Sequence, residues 1–346
     1  MEWITGGIAI TRRARETSLA CSARADGIHL AGGGVSATAL LAGYAADVAI
    51  GDPRRWHPVA GFGTVATALE RASYEPTRRR GALVAGALVG GAAILAELLS
   101  RAAGRVAHGR GIALAAVTWA ALGGRSLRRE ALHVANSIDQ GDLRQARAAL
   151  SALCGRDADE LDIHGLSRAV VESVAENTSD AVVGALAWGT IGGPAGVAAY
   201  RAANTLDAMF GHRSDRYASF GYAAAKLDDA MNWPAARLSG AITCLAAPLV
   251  GGSPTTTLAV LRRDGAAHPS PNAGRIEAAF AGALGVQLGG PLAYGDRVEV
   301  RPTLGDGNLP GVRDIRRATR LSLIVSTAAA LGCAAVRNVV VNVRGQ

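Results

Sequence analysis

Three carboxylates, Glu172, Glu176 and Asp180, recur at every fourth residue in "VESVAENTSDAVVGALAW" (171–188), directly ahead of an apolar run. On a helix that step places all three on one side. Like charges so spaced repel by roughly 0.2–0.5 kcal/mol per pair. The edge therefore calls for something positive: an arginine, a metal ion or a cationic substrate. A solvated acidic face is the competing explanation. Two further clusters follow. "YRAANTLDAMFGHRSDRY" (200–217) sets Arg201, Asn204 and Asp207 at steps of three, on one helix face, and "KLDDAMNWPAAR" (226–237) adds Asp228, Asp229, Asn232 and Arg237. Acid–amide clusters beside apolar segments suit a Mg²⁺-bridged phosphate site, because magnesium takes a few carboxylates and keeps several waters. The alternative is a set of hydrogen-bonded polar groups buried between helices. Polar groups at a membrane are costly, which favours a functional role.

Two more stretches carry candidate chemistry. "GDPRRWHPVAGFG" (51–63) crowds Asp52, Arg54, Arg55 and His57 behind an apolar run. It reads as a site for an anionic group beside an apolar surface, or as a membrane-edge turn with basic anchors. His57 lies outside the D-x-H-x-x-G pattern that supplies histidine to a corrinoid cobalt, so it is not read as a metal ligand. "HPSPNAGRIEAAFAGAL" (268–284) opens on two prolines and Asn272. The helix that follows could aim its first amides at an anion; a plain capped helix fits equally. Other nucleotide and hydrolase signatures are missing. The single lysine, Lys226, follows alanine rather than the glycine of a phosphate-binding loop. No glycine run fits G-x-G-x-x-G, and no G-x-S-x-G elbow occurs.

The elements that must position these residues are mostly apolar. Hydrophobic residues make up 49% of the 346, and charged residues only 18%. Apolar runs at 32–50, 81–100, 111–124, 181–199, 238–252 and 321–336 approach the roughly 20 residues that cross a bilayer. The expectation is an all-α polytopic membrane protein with about four to six apolar helices. Polar amphipathic helices fill 125–180, and a small irregular or β segment lies near 285–305, where "DRVEVRPTLGDG" alternates like a strand. The run at 181–199 decides the topology. If it crosses fully, the acids at 172–180 and the cluster at 201–237 face opposite compartments. Its interruption at Gly192-Gly193-Pro194 permits a re-entrant helix, which is the reading adopted because both flanks then share one aqueous site. Residues 1–27 read as a disordered or extraneous extension, and 28–346 as one membrane domain. The net charge of +8 comes almost wholly from arginine, and aromatics are 4%. With no basic–aromatic interleaving, nucleic acid is not expected as a partner. Cys21, Cys154, Cys244 and Cys333 are too scattered for a zinc site or a disulfide framework.

Taken in order, "GDPRRWHPV", "CGRDADELD", "VESVAENTSDAVV", "YRAANTLDAMFGHR", "FGYAAAKLDDAMNWPAARL" and "HPSPNAGRIEAAFAGALGVQLGG" resemble the CobD/CbiB family of cobalamin biosynthesis, the adenosylcobinamide-phosphate synthases. The resemblance runs from about Leu41 to near residue 320. Ala185 stands where that family pattern leads one to expect proline.

The resemblance implies a multi-pass inner-membrane enzyme with a cytoplasmic active site. It implies attachment of aminopropanol, or its O-phosphate, to a propionate carboxylate of adenosylcobyric acid. Carboxylate and ammonium do not condense unaided, so ATP and Mg²⁺ are the expected co-substrate and cofactor. Other membrane enzymes of cobalamin assembly are candidate partners. On this basis Glu172, Glu176 and Asp180 are assigned to catalysis, with Glu176 or Glu172 handling the amine. Asp207, Asp228 and Asp229 are assigned to Mg²⁺. Arg201, Arg213 and Arg237 would meet phosphate, with Asp52, His57, Asn177, Asn204, Asn232, His268 and Asn272 completing substrate binding. Two rivals stand beside this reading. A membrane prenyltransferase also pairs Asp/Asn clusters with Mg²⁺, but "LDDAMN" is short of acids for that. A corrinoid transporter or sensor would use the polar clusters as a path or a receptor.

Overall fold

The computed structural model describes residues 36–52, 57–155, 157–212, 214–294 and 297–344. The extension read at 1–27 and the phosphate ligand read at Arg213 lie outside the described residues. The architecture is that of an all-α polytopic membrane protein with one two-stranded sheet. Among the described residues, three helical stretches are long and apolar enough to cross a bilayer: Arg78–Ala103, Ile163–Gly211 and Val312–Val339. Ser36–Ile50 is apolar but shorter. The expected crossing at 111–124 is a 13-residue helix, about 20 Å long at 1.5 Å per residue and so short of the roughly 30 Å hydrocarbon core. The run at 238–252 continues a longer helix and ends in a 3₁₀ turn.

In chain order the helices are α1 (Ser36–Ile50), α2 (Pro58–Ser73), α3 (Arg78–Ala103), α4 (Gly109–Ala121), α5 (Gly124–Asp139), α6 (Leu143–Leu150) and α7 (Ile163–Thr178). A π turn (Ser179–Val183) leads into α8 (Gly184–Leu206), and a second (Asp207–Gly211) leaves it. After α9 (Tyr217–Phe220) come α10 (Tyr222–Ala246), α11 (Pro254–Asp264) and α12 (Ala273–Leu284). Strands β1 (Leu288–Tyr294) and β2 (Arg297–Leu304) precede α13 (Val312–Arg344).

α8 is the element that organises the molecule. Its chain breaks at Gly193, where φ 59° and ψ −144° lie outside helical space in a region that only glycine adopts without strain. Pro194 follows, with no amide to continue the ladder. The two arms then fold back on each other. A Cβ on Gly184 would lie 2.1 Å from the Tyr200 hydroxyl, and one on Gly189 would lie 2.8 Å from Val197. A straight helix would separate Gly184 and Tyr200 by about 24 Å. The re-entrant hairpin expected from Gly-Gly-Pro is therefore present. Its broken end is capped from α13: Arg337 Nη1 donates to the carbonyls of Gly189 (2.9 Å) and Thr190 (2.8 Å). Gly193→Ala should lower the melting midpoint, at a cost of about 1–3 kcal/mol, measured by thermal unfolding in detergent. An unchanged midpoint would mean the break does not need that backbone conformation.

Three apolar clusters surround the hairpin. One joins α5, α6, α7, α12, α13 and the strands around Leu166, Val170, Phe280, Leu288, Leu304 and Ile315. A second joins α1, α4 and both arms of α8 around Leu40, Leu122, Leu186 and Tyr200. The third packs α2 and α3 on Leu206, Phe210 and Phe220. α1 and α5 meet end to end: Arg125 at the start of α5 donates to the Val48 and Ala49 carbonyls that close α1.

The irregular segment expected near 285–305 is the antiparallel pair β1–β2, with a register break between Leu288 and Gly290. It is fastened to α7. Arg168 donates to the Gly289 carbonyl (2.7 Å) and the Pro291 carbonyl (2.9 Å), and Glu172 Oε1 accepts the Gly289 amide at 2.7 Å. On the other strand, Asp264 Oδ2 accepts the Gly305 amide at 2.8 Å.

Candidate functional site

Both π turns carry an acid singled out in the sequence: Asp180 in the first and Asp207 in the second. A π turn inserts one residue into the helical register and is frequent at functional sites. The hairpin brings these turns to one place, beside the middle of α10. Tyr200, fully buried, shares its hydroxyl between the Asp180 carbonyl (2.7 Å) and Asn232 Oδ1 (2.5 Å). Asn232 Nδ2 donates to Asp228 Oδ2 (2.9 Å), Asn204 Nδ2 reaches Asp228 Oδ1 (3.3 Å), and Arg201 Nη1 donates to Asn204 Oδ1 (3.0 Å). The result is one chain of hydrogen bonds, Tyr200–Asn232–Asp228–Asn204–Arg201, crossing from α8 to α10 and back.

Charge is concentrated around that chain. Asp180 lies within the fields of Glu176, Asp207 and Asp228, and Asp207 within those of Glu176, Asp228 and Asp229. Arg201 is a cation among them and feels the charges of Asp52, Asp180 and Asp228. Asp228 is only 8% exposed. Burial pushes its carboxyl up to about 6; the amides of Asn232 and Asn204 oppose the rise, and the charges of Asp229 and Glu176 add to it. The arrangement can bind a cation, accept a proton and hold a polar substrate at the mouth of a hairpin.

The remaining candidates make contacts of their own. Asp229 Oδ2 is bound by Lys226 Nζ at 2.8 Å. Its carbonyl accepts Asn272 Nδ2 (2.7 Å), and Asn272 Oδ1 in turn accepts Arg237 Nη1 (2.9 Å). Arg237 also stacks on Trp233, 4.5 Å from the ring centre. His268 Nδ1 accepts the Ser270 amide (3.0 Å), and Ser270 Oγ accepts the amides of Asn272 and Ala273. "HPSPN" thus builds the turn that docks Asn272 on α10. His57 caps α2 through the Val59 amide at 3.2 Å. Asn177 donates to the Ser173 carbonyl of its own helix.

Glu172 stands apart from Glu176 and Asp180, with its Oε1 on the β1 amide of Gly289. Glu172→Ala leaves that buried amide unmet, at a cost of about 1–3 kcal/mol. The expected readout is faster hydrogen exchange across 288–304; unchanged exchange there would show that the tether is dispensable.

Sequence reasoning missed Tyr200, which joins the two polar flanks. Its only signal is its place before Arg201. It also missed the strap between Glu70, 3% exposed, and Arg216, whose Nη2 and Nε lie 2.6 and 3.1 Å from Glu70 Oε1. That strap ties α2 to the loop after Asp207.

Among the described residues no group of three or more His, Cys, Asp or Glu side chains forms a ready-made metal cage. The hard oxygen donors of Asp207, Asp228 and Asp229 suit magnesium, which takes one or two carboxylates and completes its shell with water and substrate phosphate. The donor set fits such an ion.

Residues 40–322 match the family model described as CobD/Cbib protein. Cobalamin biosynthesis protein CobD of Mycobacterium tuberculosis strain H37Rv is 49% identical over 298 residues, covering 85% of this chain and 94% of that relative. The protein of that name from Rhodobacter capsulatus is 40% identical over 296 residues, covering 83% of this chain and 92% of its own. That of Pelobacter propionicus is 39% identical over 275 residues, covering 78% and 85%. No solved structure matches. The match over residues 40–322 and relatives 39–49% identical over most of their length place the chain in the CobD/CbiB family of cobalamin biosynthesis proteins.

Proposed function

We propose that the protein is an adenosylcobinamide-phosphate synthase of the inner membrane with its site on the cytoplasmic side. It joins the amine of 1-amino-2-propanol, or of its O-phosphate, to a propionate carboxylate of adenosylcobyric acid. The observation that carries this reading is the gathering of Glu176, Asp180, Asp207, Asp228 and Arg201 around a broken helix, in a family of cobalamin biosynthesis.

Transfer of the ATP γ-phosphoryl group to the propionate gives an acyl phosphate and ADP. Attack by the neutral amine then forms the C–N bond and releases phosphate. Magnesium, when bound, supplies charge neutralisation for the phosphoryl group. Asp207, Asp228 and Asp229 would hold it. Glu176 takes the proton that the ammonium must lose before it attacks. Arg201, fixed by Asn204, meets the phosphate oxygens. Tyr200 and Asn232 hold Asp228 and the Asp180 turn in place.

The test is mass spectrometry of detergent-solubilised protein incubated with adenosylcobyric acid, aminopropanol phosphate, ATP and Mg²⁺. The expected product has the mass of both substrates joined with loss of water. Folded protein that binds the corrinoid and returns it unchanged would overturn the reading in favour of transport or sensing.

A further inference from the structure

α10 belongs to two bodies at once. Its first half serves the hairpin: Met231 packs in the cluster around Leu40, Leu186 and Tyr200, and Trp188 Nε1 donates to the Met231 carbonyl at 2.9 Å. Asp228 and Asn232, joined to each other at 2.9 Å, lie in this half. The second half serves the other side. Ala235 and Ala246 pack in the cluster with Ile276 and Phe280, and a Cβ on Gly240 would touch Leu261 of α11 at 3.4 Å. Pro234 stands at the boundary, inside the helix. It has no amide for the Ala230 carbonyl, and its ring crowds that carbonyl. The helical ladder is therefore weakest where the two bodies meet.

Asn272 reaches across that weak point. From the N-cap of α12 it donates through Nδ2 to the Asp229 carbonyl (2.7 Å) and accepts Arg237 Nη1 on Oδ1 (2.9 Å). Asp229 lies ahead of Pro234 in the chain and Arg237 behind it. Asn272 is buried, and both its nitrogen and its oxygen already serve α10. It is held in turn from its own side. Ser270 Oγ accepts the Asn272 and Ala273 amides, His268 Nδ1 accepts the Ser270 amide, and the buried Glu277 carboxylate lies 3.9 Å from His268 Nε2. Gly274 lets this turn close: a Cβ there would stand 2.3 Å from the His268 Cβ.

We propose that Asn272 is a positioning residue rather than a substrate ligand, a strap across Pro234 that keeps the acid-bearing half of α10 in register with α11 and α12. Without it, the half-helix carrying Asp228, Asp229 and Asn232 pivots at Pro234, and its groups move against Arg201 and Asn204 of α8. His268 and Glu277 stiffen the strap. The strap stands on these contacts; its effect on turnover rests on the synthase reading.

The test is hydrogen exchange of the full chain in detergent, without substrate or metal, read beside turnover and the binding of adenosylcobyric acid. Asn272→Ala should speed exchange across 226–233 about 10-fold, the factor for one or two ordinary hydrogen bonds, and leave 239–246 unchanged. Turnover should fall about 10- to 100-fold, as for a displacement of roughly 1 Å, while adenosylcobyric acid binds as tightly as it does to the parent. Pro234→Ala restores the missing amide. In that background Asn272→Ala should speed exchange by less than about threefold, the non-additivity of coupled positions. If Asn272→Ala does not fold, Asn272→Asp keeps the acceptor for Arg237, loses the donor to the Asp229 carbonyl, and is read the same way. Unchanged exchange at 226–233 overturns the strap. So does an equal effect with and without Pro234, or corrinoid affinity that falls in step with turnover, which would make Asn272 a substrate ligand. A chain with the expected exchange pattern but no amide product would sink the synthase reading alone. A chain that makes amide and exchanges equally slowly without Asn272 would sink the strap alone.

Discussion

An Asp228→Asn chain is expected to lose amide formation by about 10²-fold or more, and to lose the parent's gain in stability as pH falls below about 6. The substitution keeps the shape and one acceptor oxygen, which serves either Asn232 Nδ2 or Asn204 Nδ2 and leaves the other facing an amide N–H. It removes the charge that would hold Mg²⁺. The stability half follows from the carboxyl group's position. Its folded-state value of about 6 stands above the ordinary 3.8. The native state therefore takes up a proton that the unfolded chain still lacks as pH falls through 6. Charged Asp228 destabilises the fold above about pH 6, and that penalty is relieved between 6 and 4. The parent should gain stability over that window relative to Asp228→Asn, which has no such slope. Magnesium competes with the same proton, so its affinity should rise with pH through 6 and flatten above it. Full activity in Asp228→Asn, or Mg²⁺ affinity flat across this range, would remove Asp228 from the site.

The second large effect is expected at a residue that carries no charge of its own. Gly184→Ala places a methyl group where the Tyr200 ring and hydroxyl stand, at 2.1 Å. That neighbour is a fully buried aromatic residue. Overpacking of this kind costs about 1–3 kcal/mol. The relief available is to part the two arms of α8, which draws the Tyr200 hydroxyl from Asp180 and Asn232 and shifts the α8 groups against α10. A displacement of roughly 1 Å at reacting groups can cost about 10²-fold in rate. The measurement is a melting midpoint with turnover on the same sample. Tyr200→Phe separates the causes, because it removes the hydroxyl and keeps the arms together. A Gly184→Ala chain that matches its parent in both would mean the arms are not in contact.

Local signals carried much of this in the sequence. Gly192-Gly193-Pro194 announced the break in α8, because no other residue types stop a helix inside an apolar run so plainly. The alternation of 297–304 announced β2. Arg201, Asn204 and Asp207, and Asp228 with Asn232, were legible as faces because three- and four-residue steps map directly onto a helix. The four-residue step failed as a guide to partners for Glu172. Periodicity gives the side of a helix and says nothing about what packs there; β1, more than a hundred residues later, claimed that carboxylate. Tyr200 was hidden for the same reason. Its role depends on Asn232 in another helix, and no spacing within "YRAAN" encodes that. The Glu70–Arg216 strap likewise joins residues 146 positions apart.

The cap on the hairpin has a consequence for biosynthesis. Gly189 and its donor Arg337 are 148 residues apart. At about 5–20 residues per second, a ribosome makes the donor roughly 7–30 s after the carbonyls it serves. Through that interval the exposed end of the half-helix cannot settle in hydrocarbon, where unmet carbonyls are costly. The nascent hairpin must wait at the interface, or beside the insertion machinery, until the last helix arrives. Completion of the candidate site is thereby coupled to completion of translation, and a chain cut short before α13 would be recognisable to quality control by a loop that never sank.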